Sequence, residues 1–202
     1  MALSFFLTAY DPSDLPGGSI DPLGFERGYL FLADKILPGM TNVANCPRYF
    51  GMLCAGASLA DVDGEVSPRE ERKLRQEAIL RMERLWVLAN VLAAQDAEDE
   101  LNLSNLRGVT YAKRHAERLE EEGERRTGCE YKLLSRQAPY GAVGIYGAVA
   151  ENVRLLYRKT YELTPGLGER LAEAFLAETD APRAVRRIAK DGGRIRTGAL
   201  AA

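Results

Sequence analysis

The sequence predicts a mainly α fold, an irregular helical bundle with a small winged-helix-like unit as one option near its C-terminal end. Three observations predict it. Apolar residues recur at three- and four-residue spacing through most of the 202 residues; Ser67-Pro68-Arg69-Glu70 has the form of a helix-opening capping box; and the pieces that read as extended are short. A chain of this length can bury about 70% of its unfolded surface. With 46% apolar and 28% charged residues it falls in the globular class, far from disorder.

Leu3 to Tyr10 reads as a short extended segment, and residues 10–24, dense in Asp-Pro, Pro-Gly-Gly and Pro-Leu-Gly, exclude regular structure. Asp21-Pro22 suits the start of a first helix, since Asp caps and Pro tolerates the first helical position. Tyr29, Leu30, Ala33, Ile36 and Leu37 carry that helix until Pro38-Gly39 stops it. A second helix is expected from about residues 45–47 to Ala60, with Tyr49, Phe50, Leu53, Ala57 and Ala60 on one face. The capping box then opens a third that reaches about Ala94, on the order of 40 Å long at 1.5 Å per residue. Its first half, Arg69 to Glu77, is almost entirely charged, and Leu85 to Ala94 is apolar nearly all round, so one end should project and the other, with Trp86, be engulfed.

A fourth helix is expected over Val109 to Glu122, with Val109, Ala112, Ala116 and Leu119 inward and Gly123 ending it. A short extended piece from Tyr131 leads to Gly141, Gly144 and Gly147, three apart, which on a helix form a smooth stripe for close backbone approach. That helix should run through Leu156. Tyr161-Glu162-Leu163 reads as a brief strand, and Thr164-Pro165 as the cap of a last helix with Leu167, Leu171, Ala174 and Phe175 inward. Helix, strand and helix over 140–178 fit a winged-helix-like unit, and also two plain packed helices, the reading the residues favour. The implied organisation is an N-terminal helical domain over 1–128, the helix-strand-helix unit over 129–180 and a basic tail over 181–202.

Net charge is −2, but residues 1–64 hold seven acids against Arg27, Lys35 and Arg48, whereas Arg183, Arg186, Arg187, Lys190, Arg194 and Arg196 face only Asp191 between 183 and 196. This basic end suits a polyanion, or a solvated terminus. Cys46, Cys54 and Cys129 form no closely spaced pair, which argues for buried free thiols and a reducing cytoplasm. The first seven residues carry no basic region ahead of their apolar run, unlike a secretory signal, and no apolar run approaches the roughly 20 residues that span a bilayer.

The one histidine, His115, lies a turn from Tyr111 and Leu119 on a charged helix and reads as partly exposed and structural. No Cys-x-x-Cys spacing supports a zinc site. Asp61 to Glu70 resembles a calcium loop but would have Leu59 at the first ligand position, so the carboxylates read as a solvated turn. Glu130-Tyr131-Lys132 matches the Glu-x-Lys half of a nuclease metal site without an evident partner Asp. Phosphate-cradling glycine loops and nucleophile elbows are lacking, so neither a cofactor nor a catalytic set is expected.

Leu37-Pro38-Gly39, Arg48-Tyr49-Phe50, Tyr140-Gly141 and Leu163-Thr164-Pro165 together resemble elements of uncharacterised bacterial proteins associated with restriction and anti-phage defence genes. In that family the Arg-Tyr-Phe element is preceded by a further Arg, where this chain has Cys46. The resemblance implies membership of a multi-protein, DNA-directed defence system, with Arg48 as an anchor.

The resulting expectation is a non-enzymatic adaptor. Arg48, Tyr49, Gly141, Gly144 and Gly147 would bind other protein subunits, and Arg183, Arg186, Arg187, Lys190, Arg194 and Arg196 would bind DNA; no membrane is involved. The alternatives are a metal-dependent nuclease subunit using Glu130 and Lys132, and a structural dimerisation module whose Gly141 to Leu156 face meets its own copy.

Overall fold

The structure, a computed structural model, describes residues 24–36, 44–96, 103–178 and 183–201. The extended segment expected at Leu3 to Tyr10, nearly all of the turn-rich stretch after it and the Leu37-Pro38-Gly39 break lie outside them. The chain forms two compact units, Met1–Pro38 and Gly39–Ala202, so 39–202 does not divide at residues 128 and 180. In the first unit, helix α1 (Phe25–Ile36) places Phe25, Tyr29, Leu32 and Ile36 on one face.

The second unit is mainly helical, as expected, and is organised around one long helix. Following α2 (Arg48–Ser58), α3 spans Pro68–Asp96, 29 residues or about 43 Å at 1.5 Å per residue. Its start is the capping box read from the sequence. The Glu70 amide donates to Ser67 Oγ at 3.3 Å, while the Ser67 amide donates back to the Glu70 carboxylate at 3.1 Å. The charged first half is half-buried or exposed. Ile79, Met82, Leu85, Trp86, Val87, Leu88 and Val91 are buried in the second half, where α3 packs against its neighbours.

Helix α4 (Val109–Glu121) buries Ala112, Ala116 and Leu119, and Gly123 ends it at φ +63°. Strand β1 (Arg126–Gly128) follows, and then a short helix, α5 (Gln137–Tyr140), lies in the segment expected to be extended. Helix α6 (Ala142–Asn152) stops four residues before Leu156. The chain then turns through a tight hairpin held by one antiparallel bridge, Leu156 to Leu163. Arg72 fastens this hairpin to α3: its guanidinium meets Glu151 at 2.7 Å and covers the Tyr161 ring at 4.1 Å.

Helix α7 (Leu167–Glu178) buries Gly168, Ala172, Phe175 and Leu176. Its inward face is rotated from the expected one, because Leu167 and Ala174 are exposed. Thr164 does not cap α7 with its hydroxyl, which donates to the Arg154 carbonyl at 2.6 Å and so closes the hairpin.

The basic C-terminal stretch is folded. Helix α8 (Arg183–Asp191) buries Val185, Ile188 and Ala189; strand β2 (Arg194–Arg196) pairs antiparallel with β1; and α9 (Gly198–Ala201) buries Leu200. Both α8 and α9 pack on α3.

Aromatic rings join the helices at the core. Tyr49 of α2 stacks on Tyr146 of α6 at 4.7 Å and meets Trp86 of α3 edge-on at 5.1 Å, and Trp86 meets Phe175 of α7 at 5.8 Å. Both phenol oxygens accept backbone bonds, Tyr49 from the Arg107 amide and Tyr146 from the Cys46 amide. All three cysteines are buried and unpaired. Desolvation pushes the Cys54 thiol up to about 12 and the Cys129 thiol up to about 11.

Two substitutions probe this framework. Ser67→Ala removes the reciprocal cap and should cost about 1 kcal/mol in urea unfolding. Gly144→Ala sets a methyl group against the Pro139 backbone carbonyl and should cost about 1–3 kcal/mol, read the same way.

Candidate functional site

A buried tyrosine stacks on the one histidine at the edge of a cleft. Tyr131 is 8% exposed, donates its hydroxyl hydrogen to the Arg84 carbonyl of α3 at 2.6 Å, and lies parallel to the His115 ring at 4.4 Å. Its position follows from two consecutive residues of α3. Arg84 donates to the Cys129 carbonyl at 2.9 Å and to Gln137 at 2.7 Å. Glu83, fully buried, accepts from Gln137 at 2.7 Å and from the Ala142 amide at 2.8 Å. Burial raises the Glu83 pKa and these bonds oppose the rise.

The cleft beside this stack has a volume of about 720 Å³. From α4 it takes Tyr111, Arg114, His115 and Arg118; from β1 and the turn after it, Thr127, Glu130 and Lys132; from β2, Arg194. Glu122 and Glu124 complete its charged lining, giving four cations against three carboxylates. Arg194 approaches Glu124 at 3.4 Å and donates to the Arg126 carbonyl at 2.9 Å.

The protonation state of His115 follows from its neighbours. Arg118 lies 2.9 Å from Nδ1, and a guanidinium only donates, so Nδ1 is the acceptor. The ring proton is therefore on Nε2, which donates to Thr127 Oγ1 at 3.0 Å. Partial burial, then the charge of Arg118, lower the His115 pKa and keep the ring neutral. With its proton directed at the hydroxyl, His115 does not act as a base toward Thr127.

Next to the cleft is an arginine-bearing ribbon. In the β1–β2 register Arg126 faces Arg196 and Gly128 faces Arg194, while Thr127 and Ile195 are buried. Side chains alternate along a strand, so Arg126, Arg194 and Arg196 share the outer face. Like charges directly opposite each other destabilise a strand pair. Among the described residues neither Arg126 nor Arg196 forms an ion pair.

The expected site residues are dispersed. Arg186 donates to the Leu176 carbonyl at 3.3 Å, Lys190 pairs with Asp61 at 2.9 Å, and Arg183 and Arg187 are exposed on α8; Arg194 and Arg196 join the ribbon. Tyr49 is a core residue with no exposed surface, and Arg48 lies 3.8 Å from Glu178.

The glycine stripe faces neighbours within the chain. A Cβ on Gly141 would strike the Glu83 carboxylate, on Gly144 the Pro139 carbonyl, and on Gly147 the Tyr161 hydroxyl. These contacts account for the glycines without a second copy or a partner helix. His115, which the sequence marks as partly exposed and structural, lines this cleft together with Glu130 and Lys132. Among the described residues no three His, Cys, Asp or Glu side chains converge to hold a metal, which leaves the Glu130–Lys132 nuclease reading without a ligand set there. The sequence reading missed Arg118, Arg126 and Thr127; the Arg125-Arg126 pair before Thr127-Gly128 was the available signal.

No protein-family model, curated protein or solved structure matches the chain. No helix among the described residues is long and apolar enough to cross a membrane.

Because folding lowers the proton affinity of His115, the unfolded chain takes up the proton first as pH falls. The stability this ring contributes is complete above its ordinary pKa of 6.5 and is lost as pH drops through the lower folded-state value. His115→Gln should flatten the fall in unfolding free energy between pH 7.5 and 5, measured in urea.

Proposed function

We propose that the chain is a non-enzymatic accessory subunit of a bacterial anti-phage defence complex, contacting DNA along its phosphates through the outer face of the β1–β2 ribbon. The observation that carries the DNA half is the pairing of Arg126 with Arg196, beside Arg194, on one solvent-facing strand pair. An arrangement that weakens the ribbon by repulsion gains a purpose when polyanion oxygens lie between the guanidinium groups. Contacts of this kind position a duplex and carry no sequence information. The defence half rests on the Leu37-Pro38-Gly39, Arg48-Tyr49-Phe50 and Leu163-Thr164-Pro165 elements of the sequence. Protein partners within the complex belong to the same reading.

Binding of the full chain to a duplex of unrelated sequence, titrated against salt, tests the DNA half. Log affinity should fall linearly with log salt concentration, and Arg126→Ala with Arg196→Ala should reduce the slope by about two. An unchanged slope, or no retention of DNA at low salt, removes it. The neighbouring genes test the other half. The absence of nuclease, helicase or chromosome-maintenance ATPase genes would withdraw its support.

A further inference from the structure

The hydrogen bonds around His115 run in one direction. Arg118 donates to Nδ1, Nε2 donates to Thr127, and the Thr127 hydroxyl hydrogen is left with no acceptor among the described residues. Thr127 is only 1% exposed, yet it lines the cleft. A buried hydroxyl that has accepted its bond and not donated one is costly unless an acceptor meets it. The relay begins at a guanidinium, so each bond polarises the next toward an oxygen carrying negative charge. Arg114, Lys132 and Arg194 line the same cleft and would supply the positive field for such a group.

A phosphate group fills a small part of about 720 Å³, a volume within the range of small-molecule sites. The remainder has a different lining. The half-buried His115 ring, backed by Tyr131, and Tyr111, which Arg114 approaches at 6.0 Å, offer aromatic surface, and the Glu130 carboxylate offers an acceptor for hydroxyl or amino hydrogens. A ligand matching all three features has an anionic end, a flat ring and hydrogen-bond donors between them.

We propose that this cleft binds a nucleoside monophosphate unit, its phosphate held by the Thr127 hydroxyl and the surrounding cations and its base against the aromatic surface. The same chemistry is present in a free nucleotide and in the phosphorylated end of a strand. The site is separate from the Arg126–Arg196 pair, although Arg194 belongs to both surfaces.

The chain's one histidine makes the test direct, because imidazole NMR signals have a single source. Adenosine 5′-monophosphate added to the full chain should shift the His115 signals saturably, with adenosine or inorganic phosphate at least tenfold weaker. Thr127→Val should weaken nucleotide binding about tenfold and Thr127→Ser should restore it, as expected for one bond to a charged group. Lys132→Ala, at an exposed position, should also weaken it and decides the matter if the valine variant does not fold.

A short oligonucleotide that competes with the nucleotide only when 5′-phosphorylated assigns the site to strand ends; one that never competes assigns it to free nucleotides. The Arg126→Ala, Arg196→Ala variant should bind the nucleotide normally, so loss of the DNA reading leaves this one standing. Absence of a saturable shift, equal binding of inorganic phosphate, or unaltered affinity in folded Thr127→Val and Lys132→Ala overturns the proposal.

Discussion

A carboxylate buried in the middle of the longest helix fixes where the rest of the second unit can go. Glu83 has no exposed surface, and its two oxygens are met by the Gln137 side chain and the Ala142 amide. A buried polar group left without its hydrogen-bond partners is costly, so residues 137 and 142 are held where they are. Gly141 is the residue between them that lets the backbone come this near. Arg84 extends the constraint to Cys129 and Gln137, and Tyr131 returns a bond to the Arg84 carbonyl. The turn bearing Glu130 and Lys132 is thereby tied to α3 on both sides, and the cleft inherits that rigidity.

The second wall of the cleft comes from the far end of the chain. Ile195 and Leu200 are buried, and α8 packs on α3 through Val185, Ile188 and Ala189, which together carry β2 alongside β1. Apolar burial supplies the driving force that sets two arginines face to face. Arg81 strengthens the docking by donating to the Ala189 and Lys190 carbonyls at the end of α8, at 2.9 and 2.7 Å. A cation placed at a helix C-terminus also complements the helix dipole.

The parts of the fold legible in the sequence are those decided locally. The Ser67–Glu70 box lies within one turn, and the engulfed half of α3 is apolar nearly all round. The α4 boundaries follow from periodicity and from Gly123. What the sequence hid was which distant segment meets which face. Spacing alone marks Gly141, Gly144 and Gly147 as smooth, but the neighbours are Glu83, Pro139 and Tyr161. The importance of His115 depends on Thr127 and Tyr131, and Arg194 reaches its cleft only after β2 has paired. The basic end looked like a tail because six cations obscured Val185, Ile188 and Ala189, whose spacing of three and then one residue marks an apolar helix stripe.

The sealed cysteines have a practical consequence. Nucleophilic sulfur chemistry requires the thiolate, and Cys54 and Cys129 are both shielded from solvent and held protonated across the physiological range. Alkylating reagents and peroxide therefore meet no ready target in the native bundle at these positions. Their rate of attack measures how often the core opens around α2 and around the turn after β1, so the chain carries its own reporters of breathing in two separate segments.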